Sequence, residues 1–587
     1  NPYHHLVKDY KLVKDALNDP VADARLAARL FSDQWQAFAN LAENEPDIAS
    51  FFRYCLLHGS ISNEGQNGMQ MLFDALGIPP PPSAEAAAGI FAQQAMNCAC
   101  LTAAKQVATI QIGSKGWLPL AYALAWLRVS GNNSVLPAWT RYQFPAVVKI
   151  LKALRDTPCD DPACNYCRAT HDPTAQLKKF FRHDAFRARP ATSDGKSLQE
   201  QIVRHGMADK PLLAIMPTGA GKSLCYQIPA LARNFRRGTL TIVISPLQAL
   251  MKDQVENLSK KTDTNMAGTL NGMLTPPERG DTLERVRLGD IAILYVSPEQ
   301  LRNKSFLDAI RHREIGMWVF DEAHCLSKWG HDFRPDYLYA SRFIREFAEE
   351  QKTAIPPVAC FTATAKLDVI QEIREHFKTE MGLELEVFSS LDERHNLAFQ
   401  VQVVSPAEKY ERIHDILSEE LPSSAAGCAV VYTATRKESE NAAQFLQKKG
   451  WSAAAFHAGL DAPVKRQIQD DFIAGKLRTI CATNAFGMGI DKDNVRLVIH
   501  ADIPGSLESY LQEAGRAGRD EQPAKCILLY DENDVETQFS LGALSSLTRQ
   551  DIAEIWRAIR RAKRNKDGQI VITAGEILRE EAIKTSF

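Results

Sequence analysis

The sequence predicts an α/β protein in which two tandem parallel-sheet domains follow a mostly α-helical domain. Three observations carry that reading. Short apolar and β-branched runs recur in two series, over residues 212–361 and 400–530, with helical patterns between them, as in sheets built from strand–helix–strand units. A single glycine-rich loop, Thr218-Gly219-Ala220-Gly221-Lys222-Ser223, ends the first run of the first series and opens a helical pattern. Ahead of both series, residues 1–150 show Ala- and Leu-rich helical periodicity and no such loop.

The bulk numbers bound the reading. A chain of 587 residues is too long for one core. Its 45% hydrophobic and 24% charged residues describe an ordinary globular protein. With 69 Lys and Arg against 71 Asp and Glu the net charge is −2, so polyanion binding must come from local patches. The longest apolar run, Trp117 to Leu127, contains Pro119 and falls well short of the roughly 20 residues a membrane span needs. A buried core helix is expected there, and no membrane partner. Most of the 12 cysteines sit singly in apolar runs, which suits reduced thiols in a cytoplasmic setting. The chain starts at Asn1 and ends in a helical pattern, and so reads as a piece of a longer polypeptide.

Within residues 1–150, the four prolines Pro79 to Pro82 break the periodicity and Ser83 is placed to cap the next helix. The run Leu17 to Phe31 resembles the last helix of DEDD-type 3′–5′ exonucleases, with Asn18 and Asp23 at the positions of the general base and the final metal-binding Asp. Asn cannot take the proton, and the upstream carboxylates are absent. Two readings stay open for residues 1–35: an ordinary amphipathic helix, or the tail of a nuclease domain. Neither predicts DNA cleavage by this chain.

Residues 151–195 hold Cys159-x4-Cys164-x2-Cys167-x3-His171. Three thiolates and an imidazole at this spacing suit a tetrahedral Zn²⁺ site. The same cysteine spacing opens a plant-type [2Fe–2S] loop, which would need Cys98 or Cys100 as a remote fourth ligand. Surface thiols without a metal are the third reading.

Residues 196–390 form the first α/β domain, with strands expected at 212–217, 240–245, 292–296, 316–320 and 358–361. In the glycine-rich loop Thr218, Gly219 and Gly221 let backbone N–H groups approach phosphates. Lys222 meets the β- and γ-phosphates and Ser223 reaches Mg²⁺. Met216 stands where the general pattern has its first glycine. Asp321-Glu322 follows a buried run; Asp321 suits Mg²⁺ and Glu322 suits the attacking water. Behind them Trp329, His331, Phe333 and Arg334 interleave aromatics with charge, which suits stacked bases and phosphates.

Residues 391–545 form the second α/β domain, with strands expected at 400–404, 428–432, 453–456, 479–483, 497–500 and 525–530. No second phosphate loop occurs, so one ATP shared by both domains is expected. The second domain then supplies charge from Gln512-Glu-Ala-Gly-Arg516-Ala-Gly-Arg519. Residues 546–587 make a basic helical extension, either a stripe for duplex phosphates or a solvated packing helix.

At this point the motifs resemble those of RecQ-family superfamily 2 DNA helicases, from about Gln199 to Tyr530. MPTGAGKSLCYQIPAL (216–231) resembles motif I, ISPLQALMKDQ (244–254) motif Ia, ILYVSPEQL (293–301) motif Ib, and DEAHCLSKWGHDFRPDY (321–337) motif II with its aromatic loop. FTATA (361–365), Tyr432-Thr433, AFHAGL (455–460), ATNAFGMGIDKDNV (482–495) and QEAGRAGRD (512–520) resemble motifs III to VI. The resemblance implies two RecA-like lobes and ATP with Mg²⁺ as cofactors. It makes Glu322, Asp321, Lys222, Gln512, Arg516 and Arg519 catalytic, and it adds Gln199, Gly489 and Asp491 to the nucleotide contacts. Gly487 would bind phosphate backbone. DNA contacts would come from Ser245, Trp329, His331, Phe333, Arg334, Tyr432, Thr433 and Thr483. Thr362 and Thr364 would relay nucleotide state.

It implies 3′→5′ movement on single-stranded and forked DNA in repair, recombination or defence, beside the nucleoid of a bacterium or in a eukaryotic nucleus. The alternative is a translocase subunit of a nuclease–helicase complex that unwinds little alone. The family's Phe-Arg pair usually precedes the adenine-reading glutamine directly; here Phe186-Arg187 is separated from Gln199 by the insert ARPATSDGKSL. No cysteine follows Cys526, so the family's zinc domain after motif VI is not expected in this chain.

Overall fold

The computed structural model describes residues 35–59, 62–95, 117–129, 136, 138–159, 161, 163–192, 194–217, 219–246, 248–272, 274–327, 334–363, 366–389, 394–422, 426–484, 486, 492–544 and 549–561. The chain divides into two compact units, residues 1–392 and 393–587.

The first unit begins with helices Trp35–Asn44, Pro46–Leu57, Asn63–Ala75, Ala84–Ala95, Leu118–Val129, Ala138–Gln143 and Pro145–Arg155. They close on a core that includes Phe51, Phe52, Phe91, Leu120 and Leu124. The apolar stretch expected to be a core helix is one, buried along Leu118–Val129. Among the described residues no helix is long and apolar enough to cross a membrane. Ser83 caps as its position suggests, its Oγ accepting the Ala86 N–H at 3.1 Å. Asn18 and Asp23 lie outside the described residues.

After helices Asn165–His171, Pro173–Phe181 and Leu198–Met207 comes a seven-stranded parallel sheet. Its strands are β1 Leu212–Ile215, β2 Leu240–Ile244, β3 Ala267–Leu270, β4 Ile293–Val296, β5 Ile315–Phe320, β6 Val358–Thr362 and β7 Glu386–Ser389. The spatial order is β3-β4-β2-β5-β6-β1-β7. The central strands are near-continuous apolar runs because helices cover both faces; β2 and β4 are buried throughout. The edge strands β3 and β7 are additions to the expected set. β3 contains Gly268, where a Cβ would meet Ile291 Cδ1 at 2.6 Å, so no β-branched residue fits. β7 has no fully buried residue and gives no apolar run.

The second unit holds a six-stranded parallel sheet of β8 Leu397–Val403, β9 Cys428–Tyr432, β10 Ala453–Phe456, β11 Thr479–Ala482, β12 Val495–His500 and β13 Ala524–Tyr530, in the order β10-β11-β9-β12-β13-β8. Two apolar clusters cover its faces, one around Val431, Leu446 and Ile499, the other around Val430, Phe472 and Val498. A helix at Arg549–Arg561 carries Arg549, Arg557, Arg560 and Arg561, with Ile552 and Trp556 exposed beside them.

Candidate nucleotide site and its surroundings

The glycine-rich loop leaves the C-terminal end of β1, and the carboxylate pair leaves the end of β5, two strands away with β6 between them. This is the edge at which parallel sheets bind ligands. Met216 N–H donates to Thr362 O across β6 at 2.9 Å, so the loop hangs from the sheet. Gly219 and Gly221 take φ of 83° and 73°, left-handed values that a side chain would strain. At Gly221 a Cβ would lie 2.3 Å from Gln199 Nε2. The bare backbone there is a cradle that only glycine leaves open.

Lys222 starts the helix Lys222–Arg237 and reaches across to both carboxylates. Its Nζ lies 2.8 Å from Glu322 Oε1 and 3.3 Å from Asp321 Oδ1. The two carboxylates are buried, Asp321 5% and Glu322 9% exposed, and the Lys222 side chain is partly buried. Burial raises the Asp321 carboxyl, and the adjacent Glu322 charge adds to that, while Lys222 pulls it back. Burial alone would lower Lys222, but the two carboxylates hold it above its ordinary value. Glu322 sits at φ 50°, ψ 50°, a left-handed conformation that non-glycine residues rarely adopt.

Neighbours fix the pair. Tyr337 O–H donates to Asp321 O at 2.8 Å, and His324, 3.4 Å from Glu322 through Nδ1, also lies 3.0 Å from Thr362 Oγ1. Thr362 is thereby tied to the carboxylate pair through His324.

Gln199 and Arg187, separated in sequence by the insert, meet in space. Arg187 N–H donates to Gln199 Oε1 at 3.2 Å, Gln199 Nε2 donates to Ala220 O at 2.8 Å, and the Arg187 guanidinium donates to Gly219 O at 2.7 Å. The insert folds back on itself: Ser197 Oγ donates to Arg187 O, and Leu198 N–H donates to Pro190 O.

Arg334 N–H donates to Cys325 O and its guanidinium to Pro246 O at 3.2 Å, which pins the C-terminal root of the aromatic loop to the segment after β2. Ser327, at the other root, donates to Glu372 Oε2 at 2.5 Å. Trp329, His331 and Phe333 lie outside the described residues, as do Thr218, Thr364, Gly487, Gly489 and Asp491. Ser245, expected to touch DNA, is buried at the end of β2 with its N–H on Val296 O, so its side chain presents no surface.

In the second unit, Tyr432 and Thr433, expected at a DNA contact, both have buried side chains. Tyr432 is 3% exposed; its hydroxyl donates to Phe486 O at 2.8 Å, its ring stacks on His500 at 5.2 Å, and burial pushes its pKa up to about 12. Thr433 is buried with its Oγ1 donating to Thr435 O. β9 lies inside the sheet with both faces covered, so side chains on either face at its end are buried. Thr483 is buried beside them, its N–H on Phe456 O.

Helix Leu507–Ala514 carries Gln512 and stops at Gly515; a turn then carries Arg516 and Arg519. Two residues missed in the sequence build that turn. Arg394 donates to the carbonyls of Gly515, Ala517 and Gly518 at 2.8, 2.8 and 2.5 Å, and Asn396 donates to Gly518 O at 2.8 Å. Gly518, at φ 57°, allows this approach, since a Cβ would meet Asn396 Nδ2 at 2.4 Å.

Cys159, Cys164 and Cys167 converge, their sulfurs all within 4.8 Å of one another. Cys159 N–H donates to Cys167 Sγ at 3.3 Å. His171 is not part of this group. Burial, with the Arg236 charge, lowers its pKa to about 4. Cys98 and Cys100 lie outside the described residues.

Comparison with known proteins places these motifs among relatives. The DEAD/DEAH box helicase family profile matches residues 196–373 and the helicase conserved C-terminal domain profile matches residues 408–521. The "Probable ATP-dependent DNA helicase RecS" of Bacillus subtilis is 36% identical over 396 residues, 67% of this chain and 74% of that protein. The "ATP-dependent DNA helicase RecQ" of Haemophilus influenzae is 36% identical over 364 residues, 62% of this chain and 54% of that protein. The "ATP-dependent DNA helicase Q5" of Rattus norvegicus is 37% identical over 395 residues, 65% of this chain and 37% of that protein. The chain therefore spans most of the first protein's length and about half or less of the other two.

Proposed function

This chain belongs to the RecQ family of superfamily 2 DNA helicases, and from that premise we propose that it is an ATP-dependent DNA helicase moving 3′→5′ on single-stranded DNA and opening forked duplexes. The observation that carries the proposal is Lys222 set on the buried carboxylates Asp321 and Glu322 at the ends of β1 and β5, beside a glycine cradle edged by Gln199 and Arg187. It is a site for a triphosphate, since it offers a cation and backbone donors to phosphate and a buried carboxylate to water.

Gln199 and Arg187 read and stack the adenine. Lys222, now on Asp321 and Glu322, finds a stronger anion in the β- and γ-phosphates. Glu322 polarises the attacking water, and its closeness to His324, which in turn meets Thr362, ties that step to the end of β6. Gln512, Arg516 and Arg519, in the second unit, stand at the motif positions to which the family resemblance assigns amide and guanidinium groups for the transferred phosphoryl group. Ser223 and Asp321, an all-oxygen pair, fit Mg²⁺, which when bound neutralises phosphate charge. The three converging thiolates fit Zn²⁺. In the first unit the DNA strand meets the aromatic loop and Arg334, and the protein works wherever the cell keeps its DNA.

A DNA-stimulated ATPase assay followed by unwinding of 3′-tailed and 5′-tailed forks tests this. Opening of the 3′-tailed fork alone is expected. Stimulated ATP turnover without opening of either fork would favour a translocase subunit that acts with a nuclease; absence of stimulated turnover would overturn the proposal.

A further inference from the structure

We infer that the Cys159–Cys164–Cys167 cluster is a metal clasp that anchors the far end of the nucleotide-loop helix to the N-terminal helical domain; the inference rests on the zinc reading above. The helix Lys222–Arg237 begins at the phosphate loop and ends in three buried arginines, Arg233, Arg236 and Arg237. Guanidinium groups at a helix C-terminus oppose its dipole favourably, but three of them can be buried only against matching charge. Arg233 donates to Asp209 Oδ1 at 2.5 Å, within the α/β domain itself. The other two depend on Asp156. Arg236 Nε donates to its Oδ1 at 2.8 Å, and Arg237 Nε pairs with its Oδ2 at 2.6 Å, with Glu314 also on Arg237 at 2.6 Å. The Asp156 side chain is 6% exposed.

Asp156 does not come from the sheet. It follows the last helix of the N-terminal domain, Pro145–Arg155, and stands just before Cys159. On the other side of the cluster, Thr170, in the helix Asn165–His171 that carries Cys167, accepts from Arg236 Nη1 at 3.5 Å. One guanidinium is therefore held from both sides of the cysteine cluster. Drawing Cys159 onto Cys167 sets the distance between Asp156 and Thr170, and so shapes the socket for Arg236. Among the described residues of 156–164 no helix or strand does this job. A metal on three thiolates supplies the missing cross-link.

A second joint holds the same two domains elsewhere. The Arg141 guanidinium donates to Arg313 O at 2.7 Å and to Arg311 O at 3.2 Å, and Tyr142 O–H donates to Gln351 Oε1. Opening the clasp is therefore a local event at the arginine socket, and the rest of the joint persists.

The test uses the full chain. Metal content is measured on the protein as purified, and amide hydrogen exchange is followed at residues 233–237 before chelation, after chelation, and after zinc is returned. The same is done for Asp156→Asn. About one zinc per chain is expected. Chelation should speed exchange at 233–237 at least about tenfold, and returned zinc should reverse it. Asp156→Asn should keep its zinc, show the faster exchange already, and gain nothing more on chelation. Zinc present, with exchange at 233–237 indifferent to chelation or additive with Asp156→Asn, would overturn the clasp while leaving the zinc reading standing. No zinc, together with no thiolate-to-metal charge-transfer band when cobalt is offered, would sink the zinc reading and the clasp with it.

Discussion

Glu322→Gln should make this protein more stable while nearly abolishing its ATPase activity. The site holds one partly buried cation, Lys222, against two buried carboxylates, Asp321 and Glu322. In this structure it is a desolvated cluster with one negative charge in excess. Glutamine is isosteric and keeps an oxygen for the Lys222 N–H at 2.8 Å, so the loss is the difference between a charged and a neutral acceptor, about 1–1.5 kcal/mol. Against this, the substitution removes the repulsion on Asp321 and the desolvation of one carboxylate, an effective gain of several kcal/mol. The balance favours the variant by about 1–2 kcal/mol, or roughly 2–4 °C per kcal/mol in the unfolding midpoint of a domain this size. Loss of the group that polarises water should lower turnover by about 10²–10⁴-fold. Scanning calorimetry without nucleotide and a coupled ATPase assay measure the two effects. A variant that turns over within tenfold of the wild type would remove Glu322 from the chemistry. A midpoint lowered by several degrees would refute the charge argument.

Lys222→Ala is the converse change, leaving two buried carboxylates without their cation, at a cost of about 3–5 kcal/mol. Its stability should also depend on pH with a definite sign. Burial already lifts the Asp321 carboxyl, and without Lys222 it rises further, so the folded state binds more protons than the unfolded one above the ordinary carboxylate range. Stability therefore increases as pH falls through that window and is least at neutral pH; unfolding midpoints at about pH 5 and pH 7.5 should differ in that direction, and by more than in the wild type. Arg394→Ala removes the donors to Gly515, Ala517 and Gly518, at a net cost of about 2–4 kcal/mol to the second unit. Because Arg516 and Arg519 ride on that turn, ATP turnover should fall about tenfold or more even where the protein remains folded; unchanged turnover would confine Arg394 to stability.

Which of these features could be read from the sequence follows from what each one binds. Strands such as β2 and β4 were legible because burial on both faces leaves an unbroken apolar run, and Asp321-Glu322 because two acids after such a run have no packing reason to be there. Edge strands β3 and β7 lack that signal; one needs a glycine and the other is partly wet. The burial of Tyr432 was not legible, because a motif resemblance marks the strand end without saying that its side chain packs into the core. His171 was misplaced because spacing from Cys167 says nothing about which neighbour the ring meets.

The arginines divide most clearly. Those that pair with carboxylates, as Arg233 does with Asp209, leave a complementary residue in the sequence. Those that bind main-chain carbonyls leave none, because every residue carries a carbonyl. Arg394 on the 515–518 turn, Arg141 on Arg311 and Arg313, and buried Arg313 itself on Gly238, Val286 and Ile291 are all of the second kind. They hold turns and domain joints whose position is fixed by chain path alone. The chemistry of the phosphate site is therefore written in residue types, while the device that orients Arg516 and Arg519 is visible only once the chain has folded.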